Sequence, residues 1–278
     1  MAINLKGKIV IITGAAGGIG SATARLLAGE GAVLVLTDIK KEGLEALAAE
    51  LAGTGAKVLT HVHDVRDPAS WQVLTDRVRS ELGGIDILIN NAGVVHPGAA
   101  EELAPEKLLQ QIQVNLIGTI NGCRAALRVM KPQGRGKIVN VASLGGIVPM
   151  SGEAIYSATK AGIRYYTLSL AAELHGSPIG VAVVCPDSVE TPQLAYEMQH
   201  DEAVLSFIGT AMKPEKVAKG IHRAIRKSKP EILVPGGFGS LYRFAMAFPR
   251  LYYVFYPMLK KTGGKNILKR RRKAALKG

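Results

Sequence analysis

Through the first 235 residues, short apolar runs alternate with longer segments of three- and four-residue hydrophobic spacing. Residues 8–12 (Lys-Ile-Val-Ile-Ile) lie between Gly7 and Gly14 and have the pattern of a strand buried on both faces. Similar runs predict strands over 33–37, 57–62, 85–89, 137–142, 179–185 and 231–234. Helices are predicted between them, over 19–29, 41–52, 68–82, 105–130, 154–175 and 214–227. Ala, Leu and Glu dominate 41–52, and all three are good helix formers. Pro68 stands at an early helical position, where its missing N–H is tolerated.

This alternation with short links implies parallel strands joined by right-handed crossovers, with helices on both faces of the sheet. Ligands of such sheets bind at the carboxyl ends of the strands. No repeat or low-complexity linker precedes residue 236. Residues 1–236 therefore read as one doubly wound α/β domain of Rossmann type, and 237–278 as a C-terminal extension.

Composition narrows the class. The 278 residues are 47% hydrophobic and 21% charged, which suits a substantial core and excludes intrinsic disorder of the whole chain. Two cysteines, Cys123 and Cys185, are too few for a disulfide scaffold and lack metal-ligand spacing, so both read as buried thiols. The first apolar run leads straight into a glycine loop, so a cytoplasmic protein without a secretory leader is expected. The formal net charge of +13 is uneven, because residues 241–278 hold eleven Lys and Arg and no Asp or Glu. The remainder is nearly neutral, with 24 basic against 22 acidic side chains.

The segment after the first strand reads Thr13-Gly14-Ala15-Ala16-Gly17-Gly18-Ile19-Gly20. Glycines there allow a tight turn and close approach of a pyrophosphate, which the following helix attracts through its unpaired N–H groups and dipole. Asp38 ends the second strand, where a carboxylate accepts hydrogen bonds from ribose hydroxyls and repels a 2′-phosphate. Ala15 and Ala16 offer no cation for such a phosphate; Lys40 and Lys41 are the counter-evidence. NAD is therefore expected over NADP. Asp64 and Val65 end the third strand, at the expected adenine position.

Tyr156 and Lys160 are spaced i and i+4, one turn apart on a helix face. A phenol of pKa about 10 becomes a base near neutrality if an ammonium stabilises its phenolate, which takes about 4 kcal/mol of differential interaction. Ser143 follows the fifth strand and can hydrogen-bond a substrate oxygen as charge develops. Asn115 lies within the preceding helix, where its amide can hold a water and link Lys160 to solvent.

Thr13-Gly14-x-x-x-Gly18-x-Gly20, Asp64, Asn90-Asn91-Ala92-Gly93, Asn115, Ser143 and Tyr156-x-x-x-Lys160 together resemble the short-chain dehydrogenase/reductase family. The resemblance implies seven strands in the order 3-2-1-4-5-6-7. It implies Tyr156 as general acid/base, Lys160 on the nicotinamide ribose, Ser143 polarising the carbonyl and Asn115 holding a relay water. Asn90 to Gly93, including Asn91 and Ala92, would flank the cofactor, as would Pro186, Val189 and Thr191. It also implies a homodimer or homotetramer built on the helices containing Asn115 and Tyr156. One departure is Asp187, where the family usually has glycine; its side chain is expected to reach solvent, or else to shape substrate choice.

Residues 188–213 read as the substrate loop, with His96, Leu144, Met150 and Asp187 as further candidate substrate contacts. Eight of fourteen aromatic residues, from Phe238 to Tyr256, fall within nineteen positions. Leu241, Phe244, Phe248, Leu251, Tyr252 and Phe255 recur at helical spacing, and a polybasic run to Lys277 follows. Arg243, Pro249, Arg250 and Pro257 interrupt the apolar stretch too often for a membrane-spanning helix.

The tail over 241–277 suits the surface of an anionic membrane, at about 1 kcal/mol per cation. The other readings are a cover for the substrate pocket, a subunit interface, or a disordered basic tail. Nucleic acid is the weaker partner, because aromatic and basic residues do not interleave and no nucleic-acid motif is present. No metal is expected, since His61 and His63 lack further ligands at suitable spacing.

The expected activity is NAD-dependent interconversion of a secondary alcohol and a ketone, on a steroid-, retinoid- or lipid-like substrate. The alternatives are an NADPH-dependent ketone reductase and a non-catalytic membrane-associated scaffold.

Overall fold

A computed structural model describes residues 4–276. Seven parallel strands form one sheet in the order β3-β2-β1-β4-β5-β6-β7. They are β1 (Ile9–Thr13), β2 (Val33–Asp38), β3 (Val58–Val62), β4 (Ile87–Asn90), β5 (Gly136–Val141), β6 (Ile179–Pro186) and β7 (Glu231–Val234). The order is the one expected from the family resemblance.

Alternate side chains divide the sheet into two buried faces. Val10, Ile12, Leu34 and Leu36 pack with Leu27 of α1 (Gly18–Gly29), Leu44 and Leu47 of α2 (Lys41–Ala52), and Ile221 of α8 (Pro214–Arg226). Ile11, Val35, Leu88 and Ile138 pack instead with Trp71 and Leu74 of α3 (Pro68–Leu82) and with Met130 of α5 (Gly118–Gln133). Leu170 of α6 (Ala154–Glu173) joins that second face. Apolar runs on both faces explain why these strands read as continuous hydrophobic segments.

Several boundaries move. The fourth strand starts at Ile87; Asp86 just before it already bonds Ile9 and Lys137 through its backbone, and its carboxylate accepts from the Ile9 N–H at 3.1 Å and from Arg135 at 3.0 Å. The single helix expected over 105–130 is α4 (Pro105–Gln111), a π-helical segment (Ile112–Ile117) and then α5. The loop 188–213 contains α7 (Pro192–Glu197) and a 3-10 segment (Asp201–Phe207), both too short to show a period.

The largest difference lies at the C-terminus. α9 (Gly236–Ala245) is followed by α10 (Pro249–Ala275), which runs straight through Pro257 and the basic residues. Lys277 and the side chains of Phe238 and Leu251 lie outside the described residues.

Candidate active site

A cavity of about 920 Å³ follows the carboxyl edge of the sheet, touched by the loops after β1 to β6 and by α9 and α10. At one end α1 begins at the glycine loop with no side-chain cap and no acid in its first turn, leaving its N–H groups for an anion. A Cβ on Gly18 would lie 2.7 Å from Cγ2 of Thr191, so only hydrogen leaves the loop open there. Gly14 has φ of +63°, a left-handed angle that favours glycine. Gly20 stands behind the loop instead of lining the cavity; its added Cβ would meet the Gly14 carbonyl at 2.2 Å.

Neighbouring segments brace this loop. Thr13 Oγ1 accepts from the N–H groups of Asn91 and Ala92 at 3.0 and 3.1 Å. The Asn91 amide donates back to the carbonyls of Thr13 and Gly14. Asp38 Oδ2 accepts from the Ala16 N–H at 3.1 Å, which fixes its carboxylate beside the loop. Arg66 pairs with Asp64 at 2.7 Å and holds that carboxyl below its usual range. Lys41 pairs with Glu45 at 3.7 Å, while Lys40 lines the cavity. Ile19, Asp38, Asp64, Val65 and Gly93 line this half, as do Pro186, Val189 and Thr191. An adenine dinucleotide fits these groups: an open glycine cradle, free helix N–H groups and a strand-end carboxylate.

Ser143, Tyr156 and Lys160 meet further along. The 3-10 segment Leu144–Gly146 starts at Ser143, whose Oγ accepts from the Gly145 N–H at 3.0 Å. Ser143 Oγ donates to the Pro186 carbonyl at 3.4 Å, and the Ser143 and Gln193 side chains both act to lower the Tyr156 phenol. Lys160 Nζ donates to the Val141 carbonyl at 3.1 Å and lies 5.6 Å from the centre of the Tyr156 ring. Burial pushes the Lys160 ammonium down to about 8.

The Tyr156 phenol lies above its ordinary range. Burial raises the phenol, and the carboxyls of Glu197 and Glu153 raise it further. The Lys160 ammonium meanwhile donates to the Val141 backbone carbonyl.

Asn115 sits in the π-helical segment, fully buried, and does not itself line the cavity. Its Oδ1 accepts from the Val94 N–H at 2.8 Å, and its amide donates to Thr159 Oγ1 at 3.1 Å. A Cβ on Gly93 would stand 3.3 Å from both Asn115 Oδ1 and Lys160 Nζ, so both groups crowd the side of Gly93 where a side chain would project.

The proposed substrate contacts His96, Leu144, Met150 and Asp187 all line the cavity. His96 Nε2 meets Gln110 Oε1 at 2.7 Å. Asp187 does not turn to solvent as expected. It is half-buried in the wall, where burial raises its carboxyl; burial, and after it the Asp187 charge, raises the Tyr242 phenol.

Sequence reasoning missed four polar groups. Glu153, Gln193, Glu197 and Ser206 also line the cavity. Ser206 Oγ donates to Glu153 Oε1 at 3.0 Å, and Gln193 Nε2 donates to Glu197 Oε1 at 3.3 Å. Burial raises both carboxyls, and each has the other acid for a neighbour. Cys123 and Cys185 are buried thiols pushed up to about 12 by burial, which leaves them unreactive. Among the described residues no cluster of metal-ligating side chains occurs.

Comparison with known proteins agrees with this geometry. The 3-oxoacyl-acyl-carrier-protein reductase of Thermotoga maritima is 39% identical over 222 residues, covering 79% of this chain and 90% of that protein. The 3-alpha-(or 20-beta)-hydroxysteroid dehydrogenase of Mycobacterium bovis is 35% identical over 219 residues, covering 78% and 82%. A short-chain dehydrogenase/reductase from Burkholderia phymatum, solved in complex with NAD, superimposes with a TM-score of 0.81 at 28% identity, covering 90% of this chain and 96% of that one. The short chain dehydrogenase family model matches residues 8–202. With that match over most of its length, the chain belongs to the short-chain dehydrogenase/reductase family of oxidoreductases.

Proposed function

We propose that the protein is an NAD-dependent oxidoreductase that interconverts a secondary alcohol and a ketone on an apolar, lipid-like substrate. The observation that carries this reading is the gathering of Ser143, Tyr156 and Lys160 on the wall of the cavity that the glycine loop and Asp38 also line. A bound nicotinamide supplies the hydride acceptor or donor. Tyr156 takes the proton from the alcohol hydroxyl or returns it to the ketone oxygen. Ser143 donates a hydrogen bond to that oxygen as charge develops. Lys160 would hold the ribose of a bound cofactor and bring its positive charge toward the phenolate. Asn115 anchors the Gly93–Val94 turn beside Lys160, where a proton-relay water would bridge to solvent.

Asp38 supports NAD, because a carboxylate held at the end of β2 beside the glycine loop accepts from ribose hydroxyls and repels a 2′-phosphate. Leu241, Tyr252 and Phe255 in the wall support an apolar substrate. Leu109, Ile117 and Tyr165 are exposed on the helical segments around Asn115 and Tyr156, which supports self-association there.

Two measurements test the reading. Titration of the purified protein should show NAD(H) bound at least about tenfold more tightly than NADP(H), a difference of about 1.4 kcal/mol. Preference for NADP(H) would point to Lys40 and to the reductase reading. Tyr156→Phe should lose about 10²–10⁴-fold in kcat with cofactor affinity kept; full activity in that variant would remove Tyr156 from the chemistry.

A further inference from the structure

α9 and α10 present an apolar surface that no other part of the described chain covers. Around the turn between them, Phe244, Phe248, Tyr253 and Val254 are 69%, 54%, 67% and 70% exposed. Phe244 and Phe248 touch edge to face, with ring centres 5.9 Å apart. Single exposed apolar side chains are ordinary, but a cluster of this kind marks a binding surface.

α10 has two distinct faces. Tyr256, Leu259, Ile267 and Arg270 meet the substrate lid, the first three through its apolar cluster and Arg270 over the Phe207 ring. Val254, Met258, Lys261, Lys265, Leu268 and Arg272 follow each other at alternating four- and three-residue spacing, and all are exposed. This outer stripe begins apolar and becomes cationic. Of the eleven cations in 241–278, only Arg243 and Arg271 form ion pairs among the described residues.

Leu241 and Phe255 are each more than half exposed and also line the cavity, so they mark its mouth. The mouth therefore opens at the aromatic apex.

We propose that α9 and α10 form a docking surface for an anionic lipid bilayer, and that the cavity mouth at Leu241 and Phe255 opens onto that bilayer. An apolar alcohol or ketone would then pass from the membrane to Tyr156 without crossing water. The proposal rests on the reading of this cavity as a dehydrogenase site for apolar substrates. Charge complementarity selects the occupant. A second copy docked on the same face would set unpaired cations against unpaired cations, whereas anionic headgroups neutralise them. Aromatic side chains at the apex suit the headgroup boundary. No helix among the described residues is long and apolar enough to cross a membrane, so the attachment is peripheral.

The test is sedimentation of the full chain with phosphatidylcholine vesicles, with and without phosphatidylglycerol. Wild type should pellet with the anionic vesicles and stay in solution with the neutral ones. The triple variant Lys261→Glu/Lys265→Glu/Lys269→Glu should lower partitioning by about a hundredfold or more. Phe244→Ser/Val254→Ser should also weaken it, while NAD(H) affinity and turnover of a water-soluble secondary alcohol stay unchanged in both variants.

Orientation is read from Phe255→Trp, against the buried native Trp71. Its emission should shift to the blue and be quenched by brominated lipid, whereas Tyr165→Trp on α6 should not respond. Wild type remaining in solution with anionic vesicles overturns the proposal. So does vesicle binding without quenching of Phe255→Trp, or an aromatic variant that only converts an oligomer to monomer. Failure of NAD(H) binding would sink the dehydrogenase reading alone and leave the vesicle result standing.

Discussion

Glu153 and Glu197 are 3% and 6% exposed; the Ser206 hydroxyl donates to Glu153 and the Gln193 amide to Glu197. One neutral donor each is too little to stabilise two buried neighbouring carboxylates, so the arrangement is satisfied when the pair holds a proton. Neither acid has a cation partner among the described residues, and burial favours the neutral form. The sign for stability follows. The folded protein holds a proton that the unfolded chain releases near pH 4.5, so stability falls as pH rises from there to about 8. Glu197→Gln should flatten that fall, giving a Tm closer to wild type or above it at pH 9 than at pH 6. About 1 kcal/mol moves a domain of this size by about 2–4 °C, so the difference is readable by calorimetry. Parallel Tm curves from pH 5 to 9 would show that the pair is not protonated in the fold. Sequence could not supply this pair, because burial of a glutamate depends on three segments that only the fold brings together. Tyr156 and Lys160 were legible because one helical turn sets their spacing, and Asp38 because a strand end fixes its place.

At the scale of elements, α10 is the part that sequence read least well. Its aromatic half showed helical spacing, but Pro257 and the basic run hid its continuity. An interior proline costs about 3 kcal/mol in an isolated helix. Here the packing of Tyr256, Leu259 and Ile267 on the lid offsets that cost. Hydroxyls of Tyr252 and Tyr256 also reach Pro149 O and Ser151 Oγ, at 2.6 and 2.7 Å. Two adjacent glycines separate helix propensity from docking. A Cβ on Gly263 would lie 2.0 Å from the Val204 carbonyl, whereas one on Gly264 would meet nothing within 4 Å. Gly264→Ala should therefore stabilise α10 by about 0.5–1 kcal/mol. Gly263→Ala should push the helix off the lid and expose 249–275 to limited proteolysis. Equal protease resistance in the two variants would mean that α10 does not depend on this close contact. The strands β1 to β7 were legible to within two residues, because runs buried on both faces have no other reading. α7 and the turn after it were not, being shorter than the window in which a period shows.

Across the whole molecule, the apolar interior divides into parts with different jobs. The two faces of the sheet are packed by α1, α2 and α8 on one side and by α3, α5 and α6 on the other. A separate cluster joins Leu194, Val204, Leu205 and Phe207 of the lid to Ile267 of α10. The glycine loop and Asp38 belong to the sheet, whereas Glu197 and Ser206 belong to the lid. Cofactor binding and substrate enclosure thus rest on different packing units, and such units open with different free energies. Ile267 is 2% exposed, and its truncation to alanine should cost about 2–5 kcal/mol in the lid cluster. In Ile267→Ala, amide hydrogen exchange over 194–207 and 256–270 should speed up together, by about tenfold or more. Exchange in β1, β2 and β5 should stay at the wild-type rate, and NAD(H) affinity should hold. If only α10 speeds up, the lid does not depend on it; if the strands speed up equally, the molecule opens as one unit and the division fails.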